Sequence, residues 1–140
     1  KINAGGGTYG TWVPDQNYNG GVARNPGTTH DILGTTLDRV YQAYRSGTDF
    51  TYFFSGVPNG RYRVTLYFCE PWHTASGRRK MHVYLQGKRV LGSFDIFAAV
   101  GHDRALTRTF TTNVYGGALK IRFQGVTDTA IISGISITGQ

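Results

Sequence analysis

Hydrophobic and polar residues alternate with a period of two along several short stretches of this chain. In the clearest stretch, 61–68, one set of alternate positions is apolar and the other carries arginine, threonine and tyrosine. Because successive side chains of a β-strand point to opposite faces, this pattern predicts a strand with one buried side and one solvent-facing side. The same alternation predicts strands at 81–86, 119–123 and 131–137, and 50–54 is predicted to be an aromatic strand that is apolar on both faces.

Turn-forming residues separate the predicted strands. They are Pro58-Asn59-Gly60, Gln86-Gly87-Lys88 and Tyr115-Gly116-Gly117, of which the second can close a hairpin. Glycine accounts for 20 of the 140 residues and aromatic residues for 14%, which disfavours helix interiors and suits strands. We therefore predict an all-β fold, a jelly-roll-like β-sandwich of two antiparallel sheets.

Two segments show other patterns. Between residues 33 and 44, the leucine, valine and tyrosine positions are spaced as on one face of a helix, although Gly34-Thr35-Thr36 opposes a helix. Periodicity alone therefore leaves helix and extended chain open there. Residues Asp95 to Val100 are predicted to form one helical turn that ends at Gly101.

The first 27 residues differ in composition from the rest. Gly5-Gly6-Gly7, Gly20-Gly21 and a Pro26-Gly27 turn bracket Tyr9, Trp12 and Tyr18, with several side-chain amides nearby. This composition predicts an irregular segment. Loops that a rigid scaffold holds in place are where binding groups concentrate.

The length of the chain limits the class of protein to which it can belong. A chain of 140 residues suits one domain, and no repeat or linker divides it, so we predict a single domain over 1–140. No apolar run is long enough to span a membrane, and neither a signal-like segment nor an initiator Met precedes Lys1. These observations predict a module excised from a larger protein, or a mature form. The single cysteine, Cys69, cannot form an internal disulfide.

Residues that would support catalysis or metal binding are sparse. The eight acidic residues lie mostly in turn-like contexts, although two of them could meet in space as a glycosidase requires. Cys69 ends an apolar strand, where a buried thiol is expected more often than a nucleophile paired with His73. The histidines, at 30, 73, 82 and 102, lack the spacing of zinc motifs. We predict no enzymatic activity, metal or cofactor, and nothing in the sequence indicates a structural calcium ion.

The chain is basic, with 15 Lys and Arg against 8 Asp and Glu and a net charge of +7. A basic face with aromatic residues can bind single-stranded nucleic acid. Here the charges are spread over turns and strand exteriors, so a solvated outer face explains them better and no nucleic-acid binding is predicted. The net positive charge still attracts anions, and this attraction favours an acidic glycan or another polyanionic surface as a partner.

Aromatic and polar side chains coincide in several predicted loops. A Trp or Tyr ring can cover the apolar face of a pyranose, while Arg, Asp, Asn or His side chains bind its hydroxyls. The loop 70–77, directly after the clearest strand, contains such a set, and Trp72 is expected at its tip as the main stacking platform. The candidate ligand-binding residues are Trp12, Tyr18, Tyr44, Arg45, Glu70, Trp72, His73 and Asp128.

Short motifs occur in a specific order along nearly the whole chain. They include Ile2-Asn3-Ala4-Gly5-Gly6, Trp12-Val13-Pro14-Asp15-Gln16, Val40-Tyr41-Gln42, Arg45-Ser46-Gly47, Val57-Pro58-Asn59-Gly60, Leu66-Tyr67-Phe68-Cys69-Glu70 and Phe94-Asp95-Ile96-Phe97. In this order they resemble a malectin-like domain, the class that includes carbohydrate-binding module family 57. The resemblance implies a jelly-roll-like sandwich without enzymatic activity, and an extended chain over 37–45 in place of a helix.

The resemblance also implies the place of a sugar site. Malectin-like sites use loop aromatics and one aspartate, which correspond here to Trp72-His73 and Asp128. Ser46 stands where the family has a tyrosine, and Tyr18 is a candidate for another family tyrosine, so the diglucose specificity of the family need not apply. Glu70 is expected either to hold the loop by hydrogen bonds or to contact the sugar.

The sequence therefore predicts a non-catalytic carbohydrate-binding module that holds a covalently attached glycoside hydrolase against a glucan or related plant or microbial polysaccharide. The resemblance implies a secreted enzyme, extracellular or periplasmic, in preference to the endoplasmic-reticulum lumen. A monomer without membrane contact is expected. Two alternatives stay open: a structural or protein-interaction sandwich of a multidomain enzyme, and a binder of acidic polysaccharide through the basic surface.

Overall fold

The structure is a computed structural model that describes residues 1–25 and 31–140. The predicted Pro26-Gly27 turn and His30 lie outside the described residues. The strands are β1 (Ile2–Asn3), β2 (Val13–Pro14), β3 (Tyr18–Asn19), β4 (Val22–Arg24), β5 (Tyr44–Gly47), β6 (Asp49–Ser55), β7 (Gly60–Phe68), β8 (Lys80–Leu85), β9 (Lys88–Phe94), β10 (Leu106–Val114), β11 (Ala118–Thr127), β12 (Ala130–Ile132) and β13 (Gly134–Gly139). The helices are α1 (Asp38–Gln42) and α2 (Ile96–Val100).

Two five-stranded sheets form the sandwich, which confirms the predicted all-β class. The β7 sheet has the strand order β10-β7-β13-β1-β2, and the β11 sheet has the order β3-β6-β11-β8-β9. Paired strands within these sheets are antiparallel except for β1 and β2, which are parallel. A third, three-stranded sheet of order β12-β5-β4 was not predicted.

Alternate side chains of the central strands form one hydrophobic core between the two large sheets. Each fully buried aliphatic or phenyl side chain contributes about 1.5–3 kcal/mol to folding. The rings of Phe50 on β6 and Phe123 on β11 stack with their centroids 5.1 Å apart. The buried set from the central strands is Val64, Leu66, Phe68, Met81, Val83, Leu85, Leu119, Ile121 and Phe123.

The clearest predicted strands are present with the predicted faces. Strand β7 pairs along its whole length with β10, from Phe68 opposite Leu106 to Gly60 opposite Val114. Gln86 and Gly87, with φ of 53° and 79°, join β8 to β9 in a tight hairpin. Positive φ at both turn residues is what this kind of two-residue hairpin requires.

The prediction of one strand over 131–137 is wrong. The chain there forms β12 in the small sheet and, after Ser133, β13 in the β7 sheet. Residues 131 to 135 are all buried, because the chain passes between sheets and is covered on both sides. A pattern of alternating exposure cannot develop where neither side faces solvent.

The extended chain implied for 37–45 is also wrong over part of its length. Residues Asp38–Gln42 form the short helix α1, and extended structure begins at Tyr44. Val40 and Tyr41 on this helix are buried in a second hydrophobic cluster with Trp12, Ile32 and Cys69. This packing holds a helix that local sequence favours only weakly.

The second predicted helical turn is confirmed as α2. The Asp95 side chain caps it by accepting a hydrogen bond from the Ala98 N–H (3.0 Å), and the chain leaves the helix at Gly101, whose φ is 92°. Among the described residues, no helix has the length and apolar character needed to cross a membrane.

Candidate functional site

The loop between β7 and β8 presents an exposed indole. Trp72 in this loop exposes 74% of its surface. The carboxylate of Glu70, which is fully buried, anchors the loop from beneath: its Oε2 accepts hydrogen bonds from the N–H groups of Trp72 (3.2 Å) and His73 (3.3 Å). Because both bonds use the backbone, the loop is held in shape without involving the indole.

A buried ion pair ties this loop to the loop between β11 and β12. Nε of Arg79 lies 2.7 Å from Oε1 of Glu70, and both side chains are almost entirely buried. Nη1 of the same arginine donates to the carbonyl oxygen and to the hydroxyl oxygen of Thr129, both at 2.8 Å. Glu70 therefore holds the loop, and it has no exposed surface with which to contact a ligand.

His73 and Asp128 form the polar part of the same surface. Nε2 of His73 lies 2.7 Å from Oδ2 of Asp128, and Nη2 of Arg79 lies 4.0 Å from that oxygen. Partial burial acts to raise the pKa of Asp128, but hydrogen bonds from His73 and the Thr129 N–H, together with the Arg79 charge, lower it overall. The carboxylate is thus negatively charged at neutral pH and partly open to solvent, so it can accept hydrogen bonds from hydroxyl groups.

We term Trp72, His73 and Asp128 the Trp72 surface. It combines an exposed aromatic ring with a charged acceptor and an imidazole. Nε2 of His102 lies 3.1 Å from the carbonyl oxygen of Pro71 and adds a further contact to the loop. The roles of Arg79, Thr129 and His102 were not predicted, because each depends on a partner distant in sequence.

The structure contradicts the exposed position predicted for Trp12. This indole is 3% exposed and packs edge-to-face on Tyr67, with the ring centroids 4.9 Å apart. It belongs to the second hydrophobic cluster, which covers the outer side of the β7 sheet at Tyr67. Trp12 therefore cannot cap a saccharide ring and stabilises the fold instead.

Arg45 is likewise buried, which corrects its assignment as a ligand-facing side chain. Its Nε lies 2.9 Å from Oδ2 of Asp15, and its Nη1 donates to the Gly20 carbonyl at 3.0 Å. The Asp15 carboxylate also accepts a hydrogen bond of 2.6 Å from the hydroxyl of Tyr52. Arg45 thus fastens the N-terminal segment to β5 of the small sheet, and Tyr52 on β6 fastens it to the β11 sheet.

Tyr18 and Tyr44 are not brought to the Trp72 surface by any contact within residues 1–25 and 31–140. The ring of Tyr18 is 46% exposed, and the guanidinium carbon of Arg45 lies 3.4 Å from its centroid. Tyr18 pairs with Tyr52, which pairs with Ile121, six residues before the end of β11. At about 3.3 Å per residue, Ile121 lies about 20 Å along β11 from the loop that contains Asp128, and Tyr18 lies at the same level of the sheet as Ile121. Tyr44 is half-buried against the main core.

No three His, Cys, Asp or Glu side chains of residues 1–25 and 31–140 come together in a way that could hold a metal ion.

The sandwich fold and the exposed aromatic surface define a lectin-like, binding type of domain. A family profile described as the Malectin domain matches residues 1–140. The chain therefore belongs to the Malectin domain family, which confirms the resemblance read from its motifs.

Curated relatives are similar to this chain over a small part of their own length. A probable leucine-rich repeat receptor-like serine/threonine-protein kinase of Arabidopsis thaliana is 31% identical over 125 residues, covering 82% of this chain and 12% of the kinase. The Arabidopsis kinesin-like protein KIN-14Q is 31% identical over 130 residues, covering 91% of this chain and 10% of that protein. The chain thus spans about a tenth of the length of these relatives.

Solved structures share the fold at low sequence identity. A β-glucuronidase of Bacteroides uniformis matches with a TM-score of 0.84 and 21% identity, over 99% of this chain and 18% of the enzyme. The ectodomain of ANX2 from Arabidopsis thaliana matches with a TM-score of 0.84 and 16% identity, over 97% of this chain and 48% of the ectodomain. At these identities the similarity is one of fold.

Proposed function

We propose that this domain binds carbohydrate at the Trp72 surface without catalysing a reaction. The observation that supports this most directly is the 74% exposure of Trp72 beside the His73–Asp128 pair. An indole stacks on the apolar face of a pyranose, and a carboxylate with an imidazole can bind its hydroxyl groups. Family membership supports the same function class.

The anchoring of the loop favours binding by a preformed surface. Glu70 and Arg79 fix the backbone on both sides of the site, so little loop ordering opposes association. A sugar must lose water from many hydroxyls on binding, so we expect a dissociation constant of about micromolar to millimolar.

We further propose an extracellular setting in which residues 1–140 form one monomeric module attached to a glycoside hydrolase. A region with this fold makes up 18% of the Bacteroides uniformis β-glucuronidase chain, which supports an enzyme-attached position. The solved ectodomain of ANX2 contains the same fold, which supports an extracellular location. The attached hydrolase would then provide the chemistry, and this module the contact with polysaccharide.

Affinity electrophoresis in gels that contain neutral polysaccharides, together with a glycan array, tests the carbohydrate site. We expect Trp72→Ala to abolish retention while the free energy of unfolding changes by less than about 0.5 kcal/mol. Tyr115→Ala is the matched control, because Tyr115 is 79% exposed in a turn between β10 and β11 and should leave retention unchanged. Retention that survives Trp72→Ala, or an array without any bound glycan, would overturn the proposal.

A further inference from the structure

Strand β10 forms one edge of the β7 sheet. It pairs with β7 over nine residues, from Leu106 to Val114, and within residues 1–25 and 31–140 no strand pairs with its other edge. The register with β7 is continuous, without a bulge. Edge strands that avoid pairing with other chains are typically short, or carry proline, lysine or a bulge. Strand β10 has none of these features, and Arg108 is its only charged residue.

The hydrogen bonds of β7 determine which backbone groups of β10 face this free edge. The Arg61 carbonyl accepts a hydrogen bond from the Gln140 N–H at 2.9 Å. The Tyr67 carbonyl accepts one from the Ser133 N–H, also at 2.9 Å, so the odd-numbered residues of β7 bond towards β13. Because backbone groups alternate along a strand, the even-numbered residues of β7 bond towards β10, where they lie opposite even-numbered residues. The N–H and C=O groups on the free edge therefore belong to Thr107, Thr109, Thr111 and Asn113.

Side chains of the described residues bond to the two ends of this edge. Nη1 of Arg108 donates to the Thr107 carbonyl at 3.0 Å, and Nε2 of Gln86 donates to the Asn113 carbonyl at 3.5 Å. Between these ends, the backbone groups of Thr109 and Thr111 have no hydrogen-bond partner in residues 1–25 and 31–140, and both residues are exposed. These groups are spaced as a further antiparallel strand requires.

The core-facing side of the same edge is only partly covered. Its half-buried residues are Arg108, Phe110 and Thr112 on β10, and Leu91 and Phe94 on β9, the edge strand of the other sheet. The guanidinium carbon of Arg108 lies 5.5 Å from the ring centroid of Phe94, so the two edges face each other. An apolar side chain placed opposite Phe110 would cover this half-buried group.

The charge of Arg108 favours an acidic residue in the added strand. Among residues 1–25 and 31–140, the ion pairs do not include this arginine. A carboxylate on the residue opposite Arg108 would supply the missing partner. A second copy of β10 could not, because β10 contains no acidic residue, and each chain carries a net charge of +7.

We propose that β10 accepts an extended peptide segment of a partner protein as an additional antiparallel strand. The segment bonds to the backbone of Thr109 and Thr111, with an apolar side chain opposite Phe110 and a carboxylate opposite Arg108. In this mode of recognition, main-chain hydrogen bonds give affinity and alternate side chains give specificity. The edge shares no residue with the Trp72 surface, so the domain can bind the peptide and a carbohydrate independently.

The probe is the synthetic peptide acetyl-Ser-Val-Thr-Phe-Thr-Glu-Ser-amide, whose Phe lies opposite Phe110 when its Glu lies opposite Arg108. Amide hydrogen exchange, measured by NMR on the full 140-residue chain, reports its binding. In the free protein, Thr109 and Thr111 should exchange faster than Phe110 and Thr112, whose N–H groups bond to β7. With a dissociation constant of about 1 mM, peptide at about 5 mM should slow the first two about fivefold. No slowing there would overturn the proposal.

A proline variant tests the backbone contact. Thr109→Pro removes one outward N–H and no bond to β7, and proline is tolerated on the free side of an edge strand. Binding should weaken about fivefold, because one hydrogen bond and its geometry are lost. Thr109→Val is the matched control; it keeps the N–H and should bind within about twofold of wild type. Equal affinities of the two variants would overturn the proposal.

Charge substitutions test the pairing with Arg108 without altering the backbone. Arg108→Gln should weaken binding about threefold, and a probe with Gln in place of Glu should lose as much on wild type and nothing more on this variant. The control Arg63→Gln removes an exposed cation from β7 and should change binding by less than about 1.5-fold. Equal losses in Arg108→Gln and Arg63→Gln would show diffuse attraction and overturn the proposal.

Two further results would assign the edge or the peptide differently. Self-association in sedimentation that Thr109→Pro abolishes would identify a second copy as the occupant and overturn the proposal. Trp72→Ala should leave peptide binding unchanged; loss of binding in that variant would place the peptide at the Trp72 surface and overturn the proposal.

Discussion

Nε2 of His73 lies 2.7 Å from Oδ2 of Asp128, although the two residues are 55 positions apart in the chain. Beneath this contact, Arg79 bonds to Glu70 under the first loop and to Thr129 in the second. The two loops therefore form one structural unit. The polar part of the proposed sugar site depends on that unit being intact.

Replacing Arg79 should destabilise the protein strongly. Arg79→Met leaves the Glu70 carboxylate buried without its cation, and removing one partner of a buried ion pair typically costs about 3–5 kcal/mol. Arg78→Met is the matched control, because this neighbouring arginine is exposed, and its effect should stay within about 0.5 kcal/mol. Urea unfolding measures both. Similar midpoints for the two variants would contradict the structural role given to Arg79.

Acid should weaken the Asp128 contacts. The pKa of Asp128 is lower in the folded state than its ordinary value, so this carboxylate stabilises the folded state above the unfolded-state pKa of about 3.9. That contribution is lost as the pH falls through the folded-state pKa. Asp128→Asn removes the titration, and Asn tolerates the positive φ of 60° at this position. The difference in unfolding free energy between wild type and Asp128→Asn should therefore shrink as the pH is lowered from about 5.

Urea titrations at a series of pH values measure that difference. His73→Ala removes the imidazole that bonds to Asp128, so it should lessen the pH dependence in the same range. A wild-type to Asp128→Asn difference that stays constant down to the acid limit would show that Asp128 makes no pH-dependent contribution.

Adding a methyl group at Gly134 should disturb the second hydrophobic cluster. A Cβ there would lie 3.0 Å from Cζ3 of Trp12 and 3.1 Å from Cγ1 of Val40. Overpacking of this kind typically costs about 1–3 kcal/mol, so we expect Gly134→Ala to lower the unfolding free energy by that amount. Gly139→Ala, on the same strand, is the control, because its nearest contact would be an ordinary 3.8 Å from Tyr62. Equal stability of the two variants by thermal or urea unfolding would contradict this packing.

The single thiol should be unreactive while the protein is folded. Burial, together with the negative charges of Asp103 and Glu70, raises the pKa of Cys69 to about 12. Because the thiolate is the reactive form, a disulfide reagent at about pH 8 should label Cys69 slowly in the native state and rapidly in urea. Native labelling as fast as that of the unfolded chain would show that the thiol is accessible.

Local sequence was sufficient to predict a strand or helix wherever one face of that element meets solvent. Strand β7 alternates cleanly because its outward Arg61 and Arg63 are exposed, and α2 is bounded by an aspartate cap and a glycine. Residues 131–135 show no such alternation in burial, because both sides of the chain are covered there. Helix α1 could not be decided locally, since its stability comes from packing with distant residues of the second hydrophobic cluster.

The candidate site was only partly predictable for the same reason. Trp12 and Trp72 both lie in segments rich in turn-forming residues, yet one packs on Tyr67 and the other is open to solvent. Arg45 has the composition of a ligand-binding residue, but Asp15, 30 positions earlier, occupies its guanidinium. Exposure and burial in these loops are decided by partners that adjacent residues do not reveal.

Because the Glu70 carboxylate accepts hydrogen bonds from the backbone N–H groups of positions 72 and 73, the indole at the loop tip is dispensable for folding. Any residue except proline, which lacks the required N–H, can occupy position 72 and keep its hydrogen bond to Glu70. Natural divergence or a saturation library can therefore exchange the chemistry displayed at this tip while the framework stays constant.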